Sequence, residues 1–352
     1  MKRFAHRLAL LIPVCGLMST VIIGCSEKKT AGDVTVSIND PGEKTFPVND
    51  FFEIEKIVYV SAEGEYLLSD INDAYITDDF AFTLDANQRV SKIDLNTGEI
   101  VNQLYQRGRG PQDYLFPFGI TGDDEHLYLL DIMSRCIHVY DFDLKHQGKF
   151  SLESLPSPSS MFKTKDGFMF FNSFENDSIG KFIITDNEGK ITQSFLQLQQ
   201  ERPEDDGVFM AVVLYSQEFF VPDLNDNVLC YNQDDKVVYR YDGNNLSKLF
   251  QFKTEEPLPN TPAPYIKQMF CLNGNILVNH FYNNVGDYAY LDKDFNVIAN
   301  GIGASPDRES IFSPICQVGN KLISAFTTDD DTPGAILPGK SIQAMIIIHR
   351  AK

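Results

Sequence analysis

From Phe46 to the C-terminus the chain shows almost no helical periodicity. Short apolar runs of four to seven residues recur instead, each bounded by Asp, Asn and Gly, as expected of strands joined by tight turns. The runs form a repeating unit with two halves. One half is a strand, an Asx or Gly turn and a second strand: VSKIDLNTGEIVNQL (90–104), IHVYDFDLKHQGKF (137–150), KFIITDNEGKITQSF (181–195), VYRYDGNNLSKLFQF (238–252) and AYLDKDFNVIANG (289–301), with a last half-copy, IQAMIIIH (342–349). The other half precedes each of these, as in AYITDDFAFTLD (74–85) and MFCLNGNILVNHF (269–281), so each half occurs six times. The turn residues Asp94, Asp141, Asp186, Asp242 and Asp292 lie 47, 45, 56 and 50 residues apart, the length of one four-stranded propeller blade. A β-sandwich or jelly roll also has short strands, but not in fours under one punctuation pattern. The expected fold is therefore all-β: a six-bladed β-propeller of four-stranded antiparallel blades. The last blade ends one strand short at IIIH, and FFEIEKIVYV (51–60) belongs to no copy. This N-terminal strand is expected to close the last blade and cover its open edge.

Ahead of the repeats, Lys2, Arg3 and Arg7 precede an apolar run from Leu8 to Ile23, the layout of a secretory signal. The run contains Pro13, ends at Gly24 and is marginal for spanning a bilayer. Ile22-Ile23-Gly24-Cys25 resembles the lipobox of bacterial lipoproteins. That resemblance implies cleavage before Cys25, a lipid on its sulfur and attachment of the mature chain to a membrane. Ser26-Glu27-Lys28-Lys29 is mostly basic, where acidic residues would accompany passage to the outer surface, so the periplasmic side is expected. The chain thus divides into a signal peptide (1–24), a lipidated cysteine with a flexible polar tether (25–45), and the propeller (46–352).

Charge narrows the partners. There are 30 Lys and Arg against 49 Asp and Glu, a formal charge of −19 that becomes −22 without residues 1–24. Such a field repels polyanions, so nucleic acid is not an expected partner, and membrane attachment falls to the lipid rather than to the folded surface. Cys136, Cys230, Cys271 and Cys316 sit in apolar strand settings with no CxxC, which predicts buried free thiols. His126, His138, His146 and His280 fall in separate strands or turns with no HxH or HExxH, and there is no GxSxG elbow. No metal, cofactor or catalytic residue is expected.

One stretch stands apart. RGRGPQDY (107–114) lies between the outermost strand of one expected blade and the innermost strand of the next, where a propeller hands the chain over around the mouth of its channel. The following LFPFGIT is no helix, which argues against a phosphate loop. Gly108 and Gly110 are expected to supply positive φ angles, with Pro111 setting the exit direction. Later handovers such as GIGASPDRESIFSPICQVG (301–319) have the same texture. Arg107, Arg109, Arg202 and Arg308 all fall in such loops and, with Asp113 and Tyr114, are the candidate ligand-binding residues. Forked arginines suit a carboxylate or sulfate; alternatively they pair with Asp113, Glu201, Glu204 and Asp307 and only stiffen the loops. GRGPQDY followed by FPFGIT, with KIDLNTGEIV upstream, resembles the six-bladed propeller lipoproteins of gut-type Gram-negative anaerobes, related to NHL and TolB-like propellers. In that family the first blade ends in a GxGPGEY-like turn; this chain has Gln112 for its third glycine and Asp113 for its glutamate. The resemblance implies the fold and the location, and no established catalytic residue. The expected function is a membrane-tethered, non-catalytic module that binds or scaffolds a protein partner or an envelope or dietary glycan through its top-face loops. The alternative is a lyase or hydrolase in the central channel, which requires at least two titratable groups converging on one pocket.

Overall fold

The computed structural model describes residues 34–39, 42, 44–155, 158–172, 179–197, 219–223, 225, 227–254, 264–282, 285–302, 312–327 and 341–352. A short strand β1 (Thr35–Ile38), a one-turn helix α1 (Val48–Phe51) and a long strand β2 (Phe52–Ser61) come first. Blade one is then β3 (Ile71–Ile76), β4 (Phe80–Asp85), β5 (Val90–Asp94) and β6 (Ile100–Leu104). Blade two is β7 (Pro117–Gly122), β8 (Leu127–Asp131), β9 (Cys136–Tyr140) and β10 (His146–Ser151). Blade three is β11 (Pro158–Thr164), β12 (Gly167–Asn172), β13 (Phe182–Asp186) and β14 (Ile191–Phe195). Blade four is β15 (Phe220–Pro222), β16 (Val228–Asn232), β17 (Val237–Tyr241) and β18 (Leu246–Thr254). Blade five is β19 (Tyr265–Leu272), β20 (Asn275–Tyr282), β21 (Val285–Leu291) and β22 (Val297–Ile302). Blade six is β23 (Pro314–Val318), β24 (Lys321–Thr327), β25 (Ile342–Ala351) and, from the other end of the chain, β2.

The ring closes as the unclaimed run predicts. β2 pairs antiparallel with β25 from Phe52 opposite Ala351 to Ser61 opposite Ile342, so the last blade gains its fourth strand and loses its open edge. Gly98, in the turn between β5 and β6, locks this strand to blade one. Its φ is +77°, an added Cβ would collide with the Tyr59 carbonyl, and its own carbonyl accepts the Ser61 N–H at 2.9 Å. The repeated aspartates make the Asx turns expected of them: Asp94, Asp141, Asp186, Asp242 and Asp292 each accept two backbone N–H bonds from the residues that follow. These turns share one rim of the ring, here the turn face; the handover loops occupy the opposite rim.

The core lies between blades rather than within them. One cluster joins β2, β24 and β25 to β3 and β5, another joins blades one and two through Phe82, Leu84, Leu127 and Leu129, and a third joins blades three, four and five through Phe171, Phe182, Phe220 and Met269. Aromatic rings carry much of it, as the wealth of Phe and Tyr in a chain without Trp suggests. Phe171 and Phe219 stack with centroids 3.8 Å apart, and Phe46, Phe52, Tyr290 and Phe312 pack together where blade five meets blade six. Cys136, Cys230, Cys271 and Cys316 are buried and form no disulfide.

The tether reading of residues 25–45 needs correction at its described residues, which begin at Val34. Thr35–Ile38 form β1, a fifth strand running parallel to β18 on the outer edge of blade four, with Val36 and Ile38 buried in the core. The cause is local: VTVSI alternates apolar and polar positions, and its apolar side seals an edge of blade four. Residues 44–46 then bridge the outer strand of blade five, where Phe46 N–H donates to the Ile302 carbonyl at 3.0 Å and Ile302 N–H to that of Lys44 at 2.7 Å. The N-terminal segment therefore straps blades four, five and six in succession. Among the described residues no helix is long and apolar enough to cross a membrane.

Candidate functional site

The handover loop of blade one is built around Tyr114. Its side chain is fully buried, and its hydroxyl donates to the Gln88 carbonyl at 2.8 Å and accepts the Gln106 N–H at 3.2 Å. Burial pushes the ionisation of this phenol well above its ordinary range, so it remains a neutral donor. Asp113 folds back to accept the Gly110 N–H at 2.8 Å, and the Gly108 N–H meets the Tyr114 carbonyl at 3.0 Å. Neither Gly108 nor Gly110 has a positive φ, contrary to expectation. A Cβ at either position would run into the Asp113 carboxylate, so a side chain there must displace Asp113 from the Gly110 N–H. Past the loop, Leu115 and Phe116 donate their N–H groups to Asp131 at 2.7 and 3.1 Å, and the chain enters strand β7, not a helix.

Six innermost strands, β3, β7, β11, β15, β19 and β23, line a central channel enclosing a cavity of about 300 Å³. These strands are neighbours around the ring without forming a common sheet, so N–H groups on their edges need side-chain partners. Asp73 on β3 supplies one. Its carboxylate accepts the Ile120 N–H across the blade boundary and its neighbour Ala74 N–H, both at 2.8 Å. Gln268 reaches the Ile315 carbonyl at 3.3 Å and Gln317 accepts the Cys271 N–H at 2.8 Å, the same device between blades five and six. Asp73 is partly accessible from the channel yet surrounded by protein, and that burial raises its pKa to about 7 against the pull of the two N–H bonds.

The sign of the resulting pH effect follows from linkage. An unfolded Asp loses its proton near 3.8, whereas Asp73 in the fold keeps it to about 7. The stability carried by its neutral form is complete below the lower value and is lost as pH climbs through the upper one. Asp73→Ala, which strands the Ile120 N–H, is expected to cost about 1–3 kcal/mol at pH 5 and less at pH 8. Melting temperatures of both chains at the two pH values check this; a gap that widens with pH would refute it.

At the turn-face mouth of the channel stands a polar cluster. The Asp123 carboxylate accepts the Tyr128 hydroxyl at 2.7 Å and lies 3.9 Å from Lys163 Nζ, while Tyr75 donates its hydroxyl to the Asp123 carbonyl at 2.8 Å. Burial would raise Asp123, but the Tyr128 hydroxyl, the N–H groups of Glu125 and His126 and the Lys163 charge outweigh it and hold the carboxyl below its usual range. Burial lowers the Lys163 ammonium, against the attraction of Asp123. Lys163 and Asp73 both line the channel, and no hydrogen bond joins them among the described residues.

The candidate residues read from sequence are placed as follows. Arg107 and Arg109 are exposed, make no ion pair among the described residues, and do not line the channel. Asp113 is half-buried against Gly110 rather than an arginine, and Tyr114 lies beneath the loop. Arg202, Arg308 and Cys25, and the carboxylates Glu201, Glu204 and Asp307, lie outside the described residues.

The family described as a domain of unknown function, DUF4934, matches residues 33–269, about two thirds of the chain. The chain belongs to the DUF4934 family. No curated protein matches this DUF4934 chain in sequence. In structure it resembles a protein of Bacteroides fragilis described as exported, at a TM-score of 0.65 and 15% identity, over 91% of this chain and 100% of that one. It also resembles a member of the DUF4221 family from Bacteroides vulgatus, at a TM-score of 0.52 and 9% identity, over 86% and 98%. At these identities the likeness is one of fold, and it agrees with the six-bladed ring.

Sequence reading of this DUF4934 chain passed over Asp73 and Lys163. Asp73 sits in INDAYI, where the carboxylate falls inside a strand rather than in a turn, the one local sign that it serves something other than chain reversal. Lys163 carries no such mark.

Proposed function

We propose that this protein is exported, anchored through a lipid on Cys25, and acts as a non-catalytic binding or scaffolding propeller that presents its handover face to an envelope protein or glycan. The observation that carries the binding reading is in the channel. Asp73 is the carboxylate of its described lining, with both oxygens committed to backbone N–H groups, while the lining Lys163 is turned to the Thr164 carbonyl, Asn187 and Asp123. A channel built this way braces the ring rather than offering an acid and a base to one substrate. The exported Bacteroides fragilis neighbour supports the compartment, and the lipobox and the mostly basic residues after Cys25 support a lipoprotein on the periplasmic side, akin to NHL and TolB-like propellers.

Cys25→Ser is expected to move the protein from the membrane pellet to the soluble fraction and to abolish incorporation of labelled fatty acid. Retention of the variant in the membrane would overturn the anchor. For the binding face, the soluble protein is screened by thermal shift against sugar acids, glycans and peptides, beside a chain with Arg107 and Arg109 changed to Ala. A stabilising ligand raises the melting temperature by mass action. A shift equal in both chains excludes those two arginines from the site.

A further inference from the structure

Blade two buries a second polar group that the channel does not use. Asp131 closes β8, Cys136 and His138 stand two residues apart on β9, and His146 opens β10. The first three side chains are buried, and their donor atoms lie within 4.8 Å of one another. Cys136 Sγ is 3.4 Å from His138 Nε2, which is 3.9 Å from Asp131 Oδ2. The other ring nitrogen, His138 Nδ1, faces His146 Nε2 at 3.3 Å.

We propose that Asp131, Cys136 and His138 form a binding site for one thiophilic divalent cation of the zinc class, with His146 as its outer partner.

The geometry fits. A tetrahedral zinc holds sulfur at about 2.3 Å and nitrogen or oxygen at about 2.0–2.2 Å, which sets donors about 3.3–3.6 Å apart. The thiol–imidazole edge is already at that length, the imidazole–carboxylate edge is about half an ångström wide, and the thiol–carboxylate edge, within 4.8 Å, closes by a small side-chain adjustment. The carboxylate is pre-aimed. Three N–H groups, of Phe116, Met133 and Ser134, converge on Oδ1, whereas Oδ2 accepts that of Leu115 and is the oxygen nearer His138. His146 sets the tautomer. Nδ1–H of His138 donating to His146 leaves Nε2 free as the ligand, the outer-sphere arrangement common at histidine metal sites.

Charge fits too. Asp131 is a fully enclosed acidic side chain that accepts the N–H groups of Phe116, Met133, Ser134 and Leu115, and no Lys or Arg is paired to it among the described residues. A divalent cation would balance that carboxylate and a thiolate together, which a buried site requires. Binding exchanges the Cys136 S–H bond for a sulfur–metal bond and releases one proton. The fourth position falls to water. On the same side of β9, Tyr140 carries a buried hydroxyl with no partner among the described residues.

The site has a structural consequence. Asp131 also holds the N–H groups of Leu115 and Phe116, the exit of the loop bearing Arg107 and Arg109. A cation there would staple that loop to blade two.

The test uses metal-stripped protein and Co²⁺ as an optical probe, added both to the folded chain and during refolding, so that slow entry cannot mask binding. The expected result is one equivalent of cobalt with a thiolate-to-metal absorption band, one proton released, and displacement of the band by Zn²⁺. The band should vanish in Cys136→Ser and persist in Cys230→Ser, while His146→Gln weakens affinity about 10–100-fold. Mass mapping of the cysteine that cobalt shields from alkylation gives the same answer without a variant. Absence of the band by both routes in cooperatively folded protein, or shielding of a cysteine other than Cys136, overturns the site.

Discussion

A chain that starts after Ser61 is expected to lose cooperative folding altogether. It lacks β2, leaving blade six with three strands and the edge of β25 bare, and it removes Phe52, Val58 and Val60 from the core, each at most 4% exposed. At about 1.5–3 kcal/mol for each of these three side chains, the loss is about 5–9 kcal/mol before the buried Val36, Ile38, Phe46 and Val48, also missing from this chain, or any ladder hydrogen bond is counted. Native domains hold only about 5–15 kcal/mol in total. The exposed edge should also recruit other chains, so aggregation is the expected fate. A chain starting at Phe46 offers the graded comparison. It keeps the closure but loses β1, with Val36 and Ile38, and should fold with stability lowered by up to about 3–6 kcal/mol. Denaturant unfolding of the full chain and both truncations measures this. A sharp, native-like transition for the chain lacking β2 would mean that the ring does not depend on its closing strand.

Tyr114→Ala carries the second large effect. The ring packs against Phe82, Leu104 and Ile120 between blades one and two, so its removal should cost about 3–5 kcal/mol, as for other large buried aromatics. Tyr114→Phe keeps the packing but deprives the Gln88 carbonyl and the Gln106 N–H of their partner, at about 1–3 kcal/mol. By contrast, Arg107→Ala and Arg109→Ala should leave stability unchanged, because both side chains are exposed and without ion pairs among the described residues. The three results together separate the part of RGRGPQDY that builds the turn from the part free to meet a ligand. A loss below 1 kcal/mol for Tyr114→Ala would show that the ring does not anchor the loop.

Much of the fold is legible along the chain because its determinants are local. Period-two alternation marks strands whatever surrounds them, and an Asx residue such as Asp141 or Asp292 closes its turn with N–H groups two to four residues away. Their spacing counts the blades, and an unpaired run at each end foretells the closure, since an open edge must be covered. Where a local cue was short, as in VTVSI, the strand was passed over.

The handover loop shows the boundary. Its turn character is written in Gly, Pro and Asp, but the reason for its glycines is not. The Asp113 carboxylate turns back onto Gly108 and Gly110, a local contact that composition does not distinguish from a left-handed turn, so a need for close approach was read as a need for positive φ. The rest belongs to tertiary structure alone. Asp73 meets Ile120 from 47 residues away. Cys136 and His138 share one strand face by simple alternation, yet Asp131 and His146 join them only through the register of β8, β9 and β10. Sequence determined the strands, the turns, the number of blades and the closing strand. The ring decided which polar side chains meet, because closure and register set distances between residues that no local preference relates.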